Sequence, residues 1–363
     1  MELRPERIEK YLRSVSGERI TLLRMIPLGE SAEDRKQKKC GYGTPIRLEY
    51  ESAIGGRKSA VLHTMGASHF GHEHMSDRAQ ILLWQRDSFN HLPRHIRAID
   101  AGTIQTDGTP ASLGTPEEFF LLTEFAEGAG YFLDLERIAK TGIATELDAA
   151  RADVLCDYLV DIHRTPGTDR ELYVRRIREL VGHGECIMGI ADSFAATAFN
   201  PVNELSRIEH LCVDWRWRLK CRTHRLRQVH GDFHPWNILF GQAADFTVLD
   251  RSRGEFGDPA DDVACLSMNY VFFSLERSGR LEGAFEMLFR RFWKRYLDES
   301  SDPEILEVVA PFFVFRALVM ANPLWYPSLT ETIRRQLFAF SLAVLSEDHF
   351  DPRQVNRYCG IEN

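Results

Sequence analysis

The stretch 229–250, VHGDFHPWNILFGQAADFTVLD, decides how this chain is read. It sets His230-Gly231-Asp232, an amide five residues on at Asn237, and a second acid at Asp250 after a short apolar run. Phosphoryl transfer asks a protein for a carboxylate that orients or accepts the attacking proton, and for oxygen ligands that hold Mg²⁺ on the phosphates. Asp232, Asn237 and Asp250 are residues of those types, in one short segment.

Outward from that stretch, the whole chain has the composition of an ordinary globular protein. Of its 363 residues 44% are hydrophobic and 27% charged, which is neither a disordered nor a fibrous balance. The length favours two domains with ample chain for a core. A net charge of −8 argues against nucleic acid as the main partner. Seven cysteines, at 40, 156, 186, 212, 221, 265 and 359, are odd in number and form no C-x-x-C pair, so a reduced, cytoplasmic setting is expected. The N-terminal MELRPERIEKYL lacks the apolar core of a secretory signal, and no uncharged apolar run reaches the roughly 18 residues of a membrane helix. The expectation is a soluble protein without a membrane partner; a homodimer is left open.

Taken in order, Ile8, Tyr11 and Leu12 predict a short helix over 3–14. Strands are expected at 19–26, 45–50 and 59–64, the last two joined at Gly55-Gly56. Between the first two lies GESAEDRKQKKCGYG, where Gly41 and Gly43 would let backbone approach phosphate and Lys36, Lys38 and Lys39 would add charge. A solvated loop reads the same segment equally well. Four histidines at 63, 69, 72 and 74 could bind a transition metal, but lack the cysteine or matched carboxylate that usually accompanies them. A helix over 77–92 and strands at 96–103 and 118–125 complete an expected five-stranded sheet with one helix. Beyond the glycine-bearing EGAGY the pattern is mostly helical: 146–163, 170–182, 203–223, 261–277, 281–297, 304–320 and 331–346. Trp215, Trp217, Trp293, Trp325 and Tyr326 are expected as core anchors, since large aromatics dominate packing.

Asp232-x-x-x-x-Asn237 has the spacing of the protein-kinase catalytic loop. With His230-Gly-Asp232-Phe-His234-Pro-Trp-Asn237-Ile-Leu, a strand ending Val248-Leu249-Asp250, then Gly257-Asp258-Pro259 and Asp261-Asp262-Val-Ala, the chain resembles the aminoglycoside phosphotransferase and choline kinase-like family. The resemblance is strongest over 225–265. It implies an α+β, protein-kinase-like bilobal fold, with a small antiparallel-sheet N-lobe at 1–125 and a larger, mainly helical C-lobe at 126–363. It further implies ATP (or GTP) and Mg²⁺ as cofactors, and γ-phosphoryl transfer to a hydroxyl of a small-molecule acceptor. Carried over by position, Asp232 becomes the catalytic residue, Asn237 and Asp250 the metal ligands, and His230 and Asp262 structural braces of the loop. Nucleotide contacts then fall to Gly41, Gly43, His63, Glu124 and Phe125.

One departure stands out. Where the family's third strand carries a lysine for the nucleotide phosphates, this chain has Val61-Leu62-His63, and an imidazole is mostly uncharged at pH 7. His63 could serve when protonated, or a lysine of the 36–39 run could reach in. Alternatively, nucleotide binding is degraded and the chain is a pseudokinase that senses nucleotide or scaffolds. Lys58 is a poor substitute, since five positions along a strand place it on the opposite face from His63. The helix acid that would pair such a lysine is also unclear, with Gln80 where a glutamate would be convenient. Because aspartate and both metal ligands are retained, an active but atypical kinase is the favoured reading; kinase-fold nucleotidyl transfer is a third. For the acceptor, Arg251 and Arg253 suit an anionic group or pairing with Glu255 and Asp258; if those acids face the site, a cationic acceptor would fit.

Overall fold

A computed structural model describes residues 3–28, 45–68, 70–196 and 198–361. The chain divides into two compact units, Met1–Thr123 and Glu124–Asn363. Their classes differ, and together they make an α+β protein with small antiparallel sheets and a preponderance of helix.

The first unit opens with α1 (Pro5–Ser16), started by a proline at its first turn and closed by Gly17 at φ 68°, whose N–H returns to the Arg13 carbonyl. Strands β1 (Ile20–Pro27), β2 (Ile46–Ser52) and β3 (Gly56–Leu62) form one antiparallel sheet in that order. Ile46 pairs with Leu62 and Ser52 with Gly56, so the 55–56 glycines do turn the hairpin. Helix α2 (Met75–Phe89) follows, its entry fixed by Asp77 Oδ2, which accepts the His74 N–H at 2.8 Å. It buries no residue within the described chain, and Trp84 is exposed. The short strands β4 (Gly102–Ile104) and β5 (Pro110–Ser112) pair with each other.

The expected strand at 118–125 is not formed, and the expected five-stranded sheet is a three-stranded sheet plus a separate two-stranded ribbon. Strand-like composition needs a neighbour whose ladder accepts it. This segment has none among the described strands, and Phe120, Leu121, Leu122 and Phe125 stand exposed.

The second unit begins with β6 (Ala129–Gly130) and α3 (Tyr131–Thr141), a helix that the sequence reading passed over. Next come α4 (Glu146–His163), α5 (Arg170–Gly182), α6 (Ile187–Ser193) and α7 (Val202–Leu219). Short strands carry the loop of interest: β7 (Arg227–Gln228), β8 (Ile238–Phe240), β9 (Phe246–Val248) and β10 (Phe256–Gly257). They pair as β6-β8-β9 and β7-β10, all antiparallel. Then follow α8 (Pro259–Ser278), α9 (Gly283–Ser300), α10 (Ile305–Val308), α11 (Ala310–Ala321), α12 (Glu331–Ser346) and α13 (Val355–Tyr358).

Helix α8 is the pillar of this unit. Nearly every residue from Pro259 to Leu275 is buried, and α3, α4, α9 and α11 pack around it. A helix apolar all round is one wrapped by others. The expected helix at 304–320 is broken before Pro311, whose ring removes an N–H and disfavours helical geometry behind it. Trp215 and Trp293 are core residues, but Trp217 and Trp325 lie at the surface, 59% and 51% exposed. Trp217 instead carries Lys220 over its ring at 3.2 Å, a polar use of an aromatic face.

Candidate active site

The loop 229–237 leaves β7 and returns through a turn of 3₁₀ helix into β8. Gly231 sits at φ 87°, and a side chain there would press on Arg253 Cβ at 3.1 Å. Only glycine meets both conditions without strain. The loop's first two amides are taken up by one carboxylate from α8. Asp262 Oδ2 accepts the His230 N–H at 2.8 Å and Oδ1 accepts the Gly231 N–H at 2.7 Å, with His163 Nε2 at 3.2 Å. Burial opposes ionisation of Asp262, but the His163 imidazole and the His230 amide outweigh it and hold the carboxyl below its ordinary range.

His230 ties the loop to the strand behind it. Its Nδ1 accepts the Asp232 N–H at 3.3 Å while Nε2 donates to the Leu249 carbonyl at 2.8 Å, an arrangement that selects one tautomer. Leu249 is held a second time, its N–H donating to the Asn237 carbonyl at 2.8 Å beyond the Ile238–Val248 pair. Thus Asp232, Asn237 and the approach to Asp250 are stitched into one body.

Within it the donor atoms are sorted. Asn237 Nδ2 donates to the Asp232 carbonyl at 3.1 Å, which leaves Asn237 Oδ1 without a hydrogen-bond partner among the described residues. Asp250 is exposed, at φ 53°, and no described residue bonds its carboxylate. A non-glycine residue held in the left-handed region is uncommon, and such positions gather at functional sites. An amide oxygen and a free carboxylate are the hard donors that Mg²⁺ takes, completed by water and phosphate. The residues present therefore fit that ion. A recess of about 260 Å³ opens beside Asp250, lined by Tyr158, Ile162, Val229 and Leu249.

Asp232 has a partner that the sequence reading missed. Arg316, on α11, donates through Nη1 to Asp232 Oδ1 at 2.5 Å, and through Nη2 to Asp261 Oδ1 at 2.8 Å and to the Gly231 carbonyl at 3.2 Å. The second oxygen of Asp232 faces His234 Nε2 at 3.6 Å. Burial would raise the Asp232 carboxyl, but His234, Arg316 and Arg253 overcome it and set it well below its ordinary range. For Asp261 burial wins, and its carboxyl is raised despite Arg316. A signal was present in APFFVFRALVMA: one charge in an apolar helix must find a buried partner.

Other readings are corrected. Asp258 is no site carboxylate: it caps α8 through Ala260 N–H, accepts both forks of buried Arg225 at 2.9 Å, and accepts Tyr173 Oη–H at 2.8 Å. Arg251 pairs with neither Glu255's carboxylate nor Asp258; it donates to the Val229 carbonyl at 2.8 and 3.0 Å and to the backbone of Glu255. Arg253 lies over the Phe315 ring at 4.7 Å and donates to Cys186 Sγ at 3.6 Å.

The expected nucleotide-contact residues fall in both units of the chain. His63 is exposed just past β3 in the first unit, and Lys58 folds back over the turn at Gly55. Glu124 and Phe125 are exposed in an irregular segment at the start of the second unit. Gly41, Gly43 and the lysines at 36, 38 and 39 lie outside the described residues, as does His69. Among the described residues no group of three or more His, Cys, Asp or Glu could hold a metal ion, and no helix is long and apolar enough to cross a membrane.

A carboxylate-bearing loop braced from a buried helix, followed by an amide and a strand-terminal acid, is the arrangement that the resemblance to phosphotransferases of protein-kinase-like fold implies. Residues 118–296 match the model of the "Phosphotransferase enzyme family". The resemblance read from the loop is thereby borne out. No curated protein matches the chain. Among solved structures it is similar to an amicoumacin kinase in complex with AMP-PNP, Ca²⁺ and Ami, at 14% identity over 98% of this chain and 93% of that one, TM-score 0.40. It is similar to the choline kinase of Cryptosporidium parvum at 11% identity over 98% and 94%, TM-score 0.34. It is also similar to a glucosamine kinase at 19% identity and TM-score 0.33, covering 64% of this chain but only 56% of that one.

Proposed function

We propose that this protein is a small-molecule kinase that moves the γ-phosphoryl group of ATP or GTP, with Mg²⁺, to an acceptor hydroxyl. The observation that carries the reading is the sorting of donors in one braced loop: Asp232 with one carboxylate oxygen held by Arg316 and the other facing only His234 at 3.6 Å, and Asn237 Oδ1 and the Asp250 carboxylate without a hydrogen-bond partner among the described residues. The match to the phosphotransferase family model over 118–296 supports it.

Asp232 Oδ2 receives the acceptor hydroxyl and takes its proton as the new O–P bond forms and the bond to the leaving diphosphate breaks with its electron pair. A carboxylate held below its ordinary pKa range is a weak base, so Asp232 acts chiefly by orientation and accepts the proton late. That suits a loose phosphoryl-transfer transition state. Asn237 and Asp250 would hold the metal, which when bound supplies neutralisation of phosphate charge. His230 and Asp262 keep the loop in register.

The test is purified protein with Mg²⁺ and ATP or GTP against a panel of hydroxylated metabolites, amino sugars and amino alcohols included. Nucleoside diphosphate should form with some acceptor and disappear in Asp232→Ala, a loss of about 10²–10⁴-fold for a positioned proton acceptor. No turnover anywhere in the panel would sink the proposal, and pyrophosphate in place of diphosphate would mean nucleotidyl transfer. His63 in the lysine's place is what favours the competing pseudokinase reading. That reading expects nucleotide-dependent stabilisation at most, without turnover.

A further inference from the structure

Arg316 is costly where it stands. It is 6% exposed, on a helix whose other residues are apolar, and its Nε has no hydrogen-bond partner. Taking a guanidinium out of water costs several kcal/mol, and buried ion pairs can often be replaced by apolar residues without loss of stability. Folding alone therefore gives a poor account of it.

Its geometry gives a better one. The fork meets both the side chain of Asp232 and the carbonyl of the preceding Gly231, while Asp261 holds its other edge and the Phe315 ring lies against its face at 4.5 Å. A planar fork fixes the directions of its bonds in a way an ammonium does not. With Oδ1 bound and the backbone bound one residue earlier, the Asp232 side chain has one orientation left, and Oδ2, which faces His234 Nε2 at 3.6 Å, is the oxygen left for an incoming group.

We propose that Arg316 is a positioning residue for Asp232: by engaging one carboxylate oxygen and the Gly231 carbonyl together, it aims the other oxygen at the acceptor hydroxyl. The inference rests on the kinase reading above. Its competitor is that Arg316 serves only to neutralise Asp261, and the two differ in what happens once Asp261 has no charge.

The experiment compares Asp261→Asn with the double variant Asp261→Asn/Arg316→Met, in which the 261–316 pair is neutral and Asp232 keeps His234 beside it, using Mg²⁺, nucleotide and the best acceptor of the panel. Positioning predicts that kcat falls about 100-fold from the single to the double variant, while both KM values stay within about threefold. It also predicts partial recovery of kcat by guanidinium chloride, below denaturing concentration, in Asp261→Asn/Arg316→Ala and none in Asp232→Ala. Arg316→Lys should fall short of wild type, since one ammonium cannot span three acceptors. Equal kcat in single and double variants overturns the proposal and leaves the kinase reading intact. If the double variant does not fold, unchanged kcat in Arg316→Lys overturns it instead. Wild type without turnover overturns both.

Discussion

At Asp250 the backbone is left-handed and the carboxylate projects without a protein partner among the described residues, so its contribution should be chemical rather than structural. Asp250→Asn is expected to leave thermal stability within about 0.5 kcal/mol, as surface changes do. It should raise the Mg²⁺ concentration needed for half-maximal turnover, read from a metal titration at saturating nucleotide. Asp232 behaves oppositely, because its ionised form is stabilised by the fold. Its folded pKa is depressed, so the stability it contributes is fully present above the unfolded carboxyl value of about 3.9 and is lost as pH falls through the folded value. Urea unfolding of wild type and Asp232→Asn should therefore show a stability gap that is constant near neutrality and narrows below about pH 4. A gap that widens in acid would contradict the assigned direction. Asp261, whose carboxyl is raised, has the other sign, costing stability once ionised.

Among the elements, α8 does most to define the site, since its N-terminal turn supplies Asp258, Asp261 and Asp262 to three different tasks. Asp262 braces the loop, Asp261 anchors Arg316, and Asp258 closes the helix onto Arg225. In the sequence the last of these reads equally as a turn residue beside Pro259 and as a site carboxylate. Asp258→Ala should destabilise the protein by about 1–3 kcal/mol, because Arg225 keeps Asp302 as a partner while two of its buried donors and the Tyr173 hydroxyl lose their acceptor. Nucleotide and acceptor KM of whatever folded protein remains should be unchanged. The comparison with Asp262→Ala is informative, since that change frees the His230 and Gly231 amides and should lower kcat as well.

At the scale of the molecule, the second unit holds a continuous buried core from Tyr131 to Cys359, whereas the segment 119–125 joins the units with Phe120, Leu121, Leu122 and Phe125 exposed. Exposed irregular chain with large apolar side chains is preferred protease substrate. Limited chymotrypsin digestion should cut first within 119–125 and leave a resistant fragment beginning near residue 126; first cleavage inside the helical unit would contradict this.

What the sequence determined by itself was local chemistry. Order and spacing from His230 to Asp262 sufficed for the family, and apolar periodicity for most helices of the second unit, because both depend on near neighbours in the chain. Tertiary structure alone decided the rest. It paired Asp258 with Arg225, spent Arg251 on backbone carbonyls, left 118–125 without a sheet to join, and brought Arg316 across 84 residues to Asp232. Partners of buried charges are chosen by packing, and packing is not legible in a linear pattern.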